Sequence, residues 1–258
     1  MSDDPQPRFG AAVLASGAAD RLAQSVGVPH KALIEIAGRA MIDYVIEALQ
    51  GCAELDKLVV VASDDGAAEH LQSDLTIVKP EGSSILDTIE TAAEALSDCD
   101  YLILCTCDAP MLTPEAVSHF IKTCRNRPGA DFAHSVVKAP VVRAALPDVR
   151  RTVVHLVEGG FVSGCMSAMT QSFVDNNMDR IRQFFGVRKS KIALAHLLGW
   201  RFLGRLLLKR LSLVGVVSRA EELLGCEVLP VISPYASVAF DVDKMSDLQI
   251  ARQWAANR

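Results

Sequence analysis

Three short apolar runs, each leading into a segment of helical period, limit the folds open to this chain. Ala11–Ala15, Lys57–Ala62 (Lys-Leu-Val-Val-Val-Ala) and Tyr101–Cys105 (Tyr-Leu-Ile-Leu-Cys) show almost no polar alternation. Strands of that kind are buried on both faces, as in a parallel sheet clothed by helices. The spacing predicts helices over Met41–Leu49 and Ile85–Leu96, the second capped by Ser83 or Ser84 with Asp87 in its first turn. Thr113 reads as the N-cap, and Pro114 as the first residue, of a helix running to Cys124. Thr76–Val78 reads as a further short strand. The alternation implies a mostly parallel α/β sheet with ligands at the C-terminal strand ends.

A length of 258 residues suits one large α/β domain or two small ones, and a hydrophobic half is enough for a substantial core. A net charge of −5 argues against a general nucleic-acid binder, so no nucleic-acid partner is expected. Seven cysteines, an odd number without a Cys-x-x-Cys, point to a reduced, cytoplasmic setting. No apolar run reaches transmembrane length, and the polar start does not read as a signal peptide. Residues 1–8 are expected to form a disordered tail and residues 9–258 one domain.

The loop after the first strand carries the chemistry. Val13-Leu14-Ala15-Ser16-Gly17-Ala18-Ala19 is built of small residues after Leu14; Arg21 and then Lys31 (in Pro29-His30-Lys31) follow, before a helix. Small residues let backbone N–H groups approach an anion, and two cations offset its charge. A nucleoside triphosphate is the simplest ligand. The dinucleotide fingerprint needs three glycines and the P-loop a Gly-Lys-Ser/Thr; neither spacing occurs. Asp108, just past the third strand, has the position of a Mg²⁺ ligand, which needs one or two carboxylates plus phosphate oxygens. Asp241 and Asp243, two apart on an extended segment, share a face. His30 reads as an exposed loop residue and Cys105 and Cys107 as core thiols. No histidine has metal-ligand spacing. Ser163 lacks the leading Gly of a hydrolase elbow.

These motifs resemble the opening signature of the MobA-like NTP transferases: Leu-Ala-Gly-Gly, an Arg, a Pro-x-Lys, then a Gly-x-Pro before the first long helix. Here they read Leu14-Ala15-Ser16-Gly17, Arg21, Pro29-His30-Lys31 and Gly38-Arg39-Ala40. Ser16 replaces the first Gly of the pair, and a Cβ there resists positive φ. Ala23 and Ala40 stand where Gly and Pro are usual. The resemblance covers most of Phe9–Cys124 and again Val231–Trp254. It implies a Rossmann-like, three-layer α/β fold with a mostly parallel, mixed sheet. Residues 9–124 would be the NTP-binding half and 125–258 the acceptor side. It further implies NTP phosphates on Leu14, Ala15, Ser16 and Gly17, with Arg21 and Lys31 as catalytic cations. Base and ribose would lie by Gly82, Ser83 and Ser84. Mg²⁺ would be held by Asp108 and by the Asp241/Asp243 pair, Asp243 before Asp241, with Ser246 capping the last helix. Glu158–Cys165 would be an acceptor loop of close backbone approach, with Gly160 and Ser163 in contact. The implied reaction moves NMP from an NTP to a phosphorylated small-molecule or lipid-linked acceptor and releases pyrophosphate. Nothing selects the base. The rival is a degenerate nucleotide- or nucleotide-sugar-binding protein, motivated by Ser16, Ala23 and Ala40.

The resemblance does not reach the basic segment 180–219, which holds ten Lys or Arg and no acid. Arg201, Arg205 and Lys209 recur every four residues, beside an apolar face of Leu198, Phe202 and Leu206. A helical insertion over 188–211 is expected. Three readings stand: an insertion packed on the core, a basic wall (Arg201, Arg205) for an anionic acceptor, or an amphipathic partner- or membrane-surface helix.

Overall fold

The computed structural model describes residues 6–16, 20–63, 67–71, 75–82, 84–187 and 197–257. Gly17, Ser83, residues 1–5 of the expected tail and residues 188–196 of the basic segment lie outside them. In chain order the elements are β1 (Phe9–Ala15), α1 (Arg21–Val26), β2 (Glu35–Ile36), β3 (Arg39–Ala40), α2 (Met41–Gln50), β4 (Lys57–Ala62), α3 (Ala67–His70), β5 (Thr76–Val78), α4 (Ile85–Ala95), β6 (Tyr101–Thr106) and α5 (Pro114–Arg125). Then come β7 (Phe132–Lys138), α6 (Ala139–Ala145), β8 (Val154–Leu156), β9 (Gly159–Thr170), α7 (Gln171–Val187), α8 (Trp200–Leu207), α9 (Leu213–Leu224), β10 (Val228–Ser233) and α10 (Met245–Ala256).

The main sheet runs β10-β7-β9-β6-β1-β4-β5, with β8 paired to β9. β1 lies between β4 and β6, parallel to both, and β5 extends the parallel half. β9 is antiparallel to β6 and β7, and β10 is parallel to β7. The sheet is therefore mostly parallel but mixed. Val45, Leu49, Phe120 and Ile121 cover one face from α2 and α5; Ile89, Leu96, Phe173 and Ile181 cover the other from α4 and α7. A full helix on each face explains the unbroken apolar runs of β1, β4 and β6. Gly10 is required, because a Cβ there would come within 2.8 Å of Leu96 and 2.9 Å of Cys99.

A third apolar cluster joins the chain's two ends. Leu22, Ile34, Ile36, Met41 and Tyr44 pack with Phe240, Val242 and Leu248, all buried. Each such side chain contributes roughly 1.5–3 kcal/mol on burial. The Tyr44 hydroxyl donates to the Ile36 carbonyl (2.8 Å) and holds the β2–β3 ribbon to α2. This cluster carries the Asp241–Asp243 segment to the mouth of β1 and β6.

Several expectations change. Glu158–Cys165 is not a loop: it is the β8–β9 turn and the first half of a long strand. A Cβ at Gly164 would overlap Ser135 and Val238, so close approach occurs there, at the bulge between β7 and β9. Ser246 does not cap α10. The helix begins at Met245 after Lys244, and the Asp247 carboxylate accepts the N–H of Asp243 (3.2 Å) instead. The basic helix is not continuous over its described part. Gly199 (φ 86°) interrupts it before Trp200, and Lys209 (φ 54°) ends it, so Lys209 does not continue the face of Arg201 and Arg205. Among the described residues no helix is long and apolar enough to cross a membrane. All seven cysteines are free and all but Cys226 are buried. Burial pushes three of these thiols up, Cys52 to about 11 and Cys124 and Cys226 to about 12.

Candidate functional site

Lys31 opens a single 3₁₀ turn, Lys31–Leu33, whose entry is fixed by His30. His30 is buried, not exposed as expected; its Nδ1 accepts the Ala32 N–H (3.0 Å). The turn aims Lys31 at the C-terminal end of β6. There its Nζ donates to Asp108 Oδ2 (2.6 Å) and Asp243 Oδ1 (2.9 Å), and Asp20 Oδ2 stands 3.8 Å away. The Lys31 side chain is only 13% exposed. Burial alone would depress its ammonium. The charge and hydrogen bond of Asp108, then those of Asp243, outweigh that and raise it above the ordinary lysine value. Asp243 is brought to Asp108 by the backbone, since Val242 N–H donates to the Asp108 carbonyl (2.9 Å).

Arg151 braces the other side of the Asp-x-Asp segment. Its side chain is 10% exposed and lies over the Phe240 ring at 5.3 Å. It donates to the Asp241 carbonyl and stands 3.3 Å from Asp241 Oδ1, 3.7 Å from Asp243 Oδ2 and 3.8 Å from Asp247 Oδ2. Both carboxylates of the pair therefore share a face, as the spacing requires. Burial pushes the Asp241 carboxyl up to about 7 against the pull of Arg151, with Asp108 and Asp243 adding to the rise. Burial acts the same way on Asp243, but its bond to Lys31 overcomes it and holds the carboxyl below the usual range.

A polar cavity of about 300 Å³ opens beside these carboxylates, lined by Arg150, Arg151, Thr152 and Ser163 among others. Ser163 reaches it from β9, and its hydroxyl meets His134 Nε2 at 2.8 Å. His134 Nδ1 meets Ser167 at the same distance. Burial pushes the His134 imidazole down to about 4. A neutral ring thus fixes the Ser163 hydroxyl toward the cavity.

The end of β1 is tied to α4. Ser16, at the end of β1, lies 2.5 Å from Thr88 Oγ1, and Thr88 gives its own proton to the Ser84 carbonyl (3.0 Å). Ser16 is therefore the donor. It is not among the described non-glycine residues of positive φ, which are Ala37 and Lys209. Ser84 is the N-cap of α4 in a capping box with Asp87. Gly82 lies beside it, where a Cβ would displace the Asp87 carboxylate from the capping box. Ala40, where Pro is usual, sits at φ −66°, an angle Pro would adopt. Its N–H, which Pro lacks, donates to Asp43 (3.1 Å).

The structure thus gathers Lys31, Asp108, Asp241, Asp243 and Ser163, with Leu14, Ala15 and Ser16 on β1 and the loop that follows it. Arg21 opens α1 and is exposed. Gly160 sits in the β8–β9 hairpin, where a Cβ would press on Val153 and Ala139. Arg201 and Arg205 line a different cleft, of about 710 Å³, with Trp200 and Arg219. α8 packs through Phe202 and Leu206 on a small separate cluster of Leu156, Phe161 and Leu211. No local pattern marks Arg151, whose partners lie some 90 residues on. Asp20 is the N-cap of α1 and Asp247 lies in the first turn of α10, positions that mark helix starts rather than a site.

The fold defines a class, the nucleotidyltransferases with a Rossmann-like core. The chain belongs to the MobA-like NTP transferase domain family, whose model matches residues 11–181. It is 24% identical over 154 residues to a molybdenum cofactor guanylyltransferase of Shewanella sp. (strain MR-4), covering 58% of this chain and 75% of that one. A hypothetical transferase from Thermus thermophilus superposes with a TM-score of 0.80 at 33% identity, over 93% of this chain and 99% of that one. A CMP:2-keto-3-deoxy-manno-octonic acid synthetase, solved with CTP, shares the fold (TM-score 0.58, 15% identity, 98% and 99% covered).

Proposed function

We propose that this protein transfers an NMP group from an NTP to a phosphorylated acceptor, with Mg²⁺, in the cytoplasm. The observation that carries the reading is the Lys31 ammonium between Asp108 and Asp243 at the end of β6. Residues 9–124 would bind the NTP and 125–258 the acceptor. The name of the curated relatives makes GTP the first donor to test, and a molybdenum cofactor the first acceptor. Mg²⁺ needs only one or two carboxylates, its shell being completed by phosphate oxygens and water. Asp108 fits such an ion, since its Oδ1 is buried with no hydrogen-bond partner among the described residues. Asp108 and Asp243 would hold it, with Asp241 behind. When bound, Mg²⁺ supplies charge neutralisation and Lewis acidity at the α-phosphate.

The chain's own groups do the rest. Lys31, charged throughout the working pH range, offsets the charge of the departing pyrophosphate, and Arg21 adds to it from α1. The backbone from Leu14 to Gly17 would cradle the triphosphate, and Ser16 holds the end of β1 to α4. Gly82, Ser83 and Ser84 flank the base and ribose. Ser163, oriented by His134, and Gly160 line the acceptor side. A phosphate oxygen is already ionised, so in-line attack needs positioning rather than a general base.

Calorimetric titration with GTP, CTP, UTP and ATP, with and without Mg²⁺, tests this beside Asp108→Ala. One NTP should bind in a Mg²⁺- and Asp108-dependent manner, and turnover should fall on the order of 10²–10³-fold in the variant. Binding indifferent to both would favour the nucleotide-binding rival, and no binding would sink the reading.

A further inference from the structure

α8 carries more apolar surface than the core takes up. At 100° per residue, Phe202 and Leu206 point together, down onto Leu156, Phe161 and Leu211. Trp200 and Leu207 point roughly 130° away round the helix and are 73% and 82% exposed. Leu208, and Val214 just after, are exposed as well. Arg201 and Arg205 flank this face, Lys209 and Arg210 follow in the turn, and all four are exposed. No acid occurs between residues 197 and 214. The segment is propped from beneath: Arg219 Nε donates to the Leu198 carbonyl (3.0 Å) and its Nη2 to that of Leu197 (2.5 Å).

We propose that α8 and the turn after it dock this protein on an anionic lipid bilayer. Charge complementarity and geometry favour lipid. Four cations rim four exposed apolar side chains, and the nearby carboxylates are engaged, Glu222 by Arg219 (2.7 Å) and Glu158 by the Leu213 N–H (2.9 Å), so the face meets a surface of phosphates over hydrocarbon. Trp200, Leu207 and Leu208 enter the headgroup–acyl boundary, and Arg201, Arg205, Lys209 and Arg210 lie against lipid phosphates. The arginine and lysine stems allow this, since they bury apolar length while the charge stays wet. A stable protein interface buries roughly 800 Å² per partner, more than these four apolar side chains offer.

The test uses the chain's two tryptophans, Trp200 and Trp254. Trp254 is partly buried on α10 against Tyr44, so Trp254→Phe leaves Trp200 as sole reporter. Vesicles of phosphatidylcholine alone are compared with vesicles of phosphatidylcholine mixed with phosphatidylglycerol. The protein should co-sediment with the anionic vesicles only, with a blue shift of Trp200 emission and weakening in salt. Arg201→Glu with Arg205→Glu should weaken binding about 30-fold or more. Leu207→Ser should weaken it without changing the salt slope. Thermal melting of each variant should match the parent, because these side chains are exposed. Binding to neither vesicle, or equally to both, overturns the proposal. So does a concentration-dependent dimer in light scattering that Leu207→Ser abolishes, which assigns the face to a second copy.

Discussion

Arg151 is the residue on which the carboxylate side of the candidate site leans. It faces three carboxylates, one of them, Asp247, almost wholly buried. Arg151→Met should cost about 3 kcal/mol in urea unfolding, because it strands buried charge rather than merely deleting a pair. Arg151→Lys should restore part of the stability but not the fork, since an ammonium cannot span Asp241 and Asp243 together. Asp241 makes a pH prediction. Its folded carboxyl titrates near 7, far above the unfolded value, so the folded state holds the extra proton. Stability from this group is full below pH about 4 and is lost as pH rises toward about 7. Asp241→Asn should therefore gain on the parent across that window and level off above it, read from urea midpoints at each pH. Asp243, depressed by Lys31, acts oppositely: its contribution is present above the unfolded value and lost in acid. Of these residues Asp108, Asp241, Asp243 and Lys31 could be read from sequence, because a strand end or a fixed spacing marked them. Arg151 could not, because only the folded chain brings the stretch before β8 beside the segment after Phe240.

At the scale of elements, the contact between β1 and α4 bears on the meaning of Ser16. Its hydroxyl donates to Thr88, which is buried. Thr88→Val should leave the Ser16 hydroxyl unpaired and cost about 1–2 kcal/mol, with weaker NTP binding as the end of β1 loosens. Ser16→Gly should likewise lower stability without raising turnover. A large gain in turnover would instead support the binding-protein rival. β4 and β5 match their sequence reading to the residue, and β1, β6, α2, α4 and α5 match within two, because parallel strands leave unbroken apolar runs and helices carry caps. β7, β9 and β10 left no such mark. β9 reads Gly-Gly-Phe-Val-Ser-Gly-Cys-Met-Ser-Ala-Met-Thr, small and polar where it serves the bulge and the cavity. Its strand character comes from pairing on both sides, which no local pattern records.

For the whole molecule, the candidate site exists only because the chain's ends meet. The cluster of Ile34, Ile36, Phe240, Val242 and Leu248 holds Asp243 opposite Lys31. Phe240→Ala should cost about 3–5 kcal/mol, and, while the protein remains folded, should weaken Mg²⁺–NTP binding more than a change of equal cost in α5 such as Phe120→Ala. The free thiols offer a different reading of the same architecture. Cys105, Cys107 and Cys124 lie under α5 and against β6, fully enclosed, whereas Cys226 lies near the surface before β10. Only an exposed thiolate reacts with an alkylating reagent. Their successive modification, followed by mass, should therefore act as a set of internal clocks: Cys226 first, through local fluctuation, and the β6 thiols only when the central sheet itself opens.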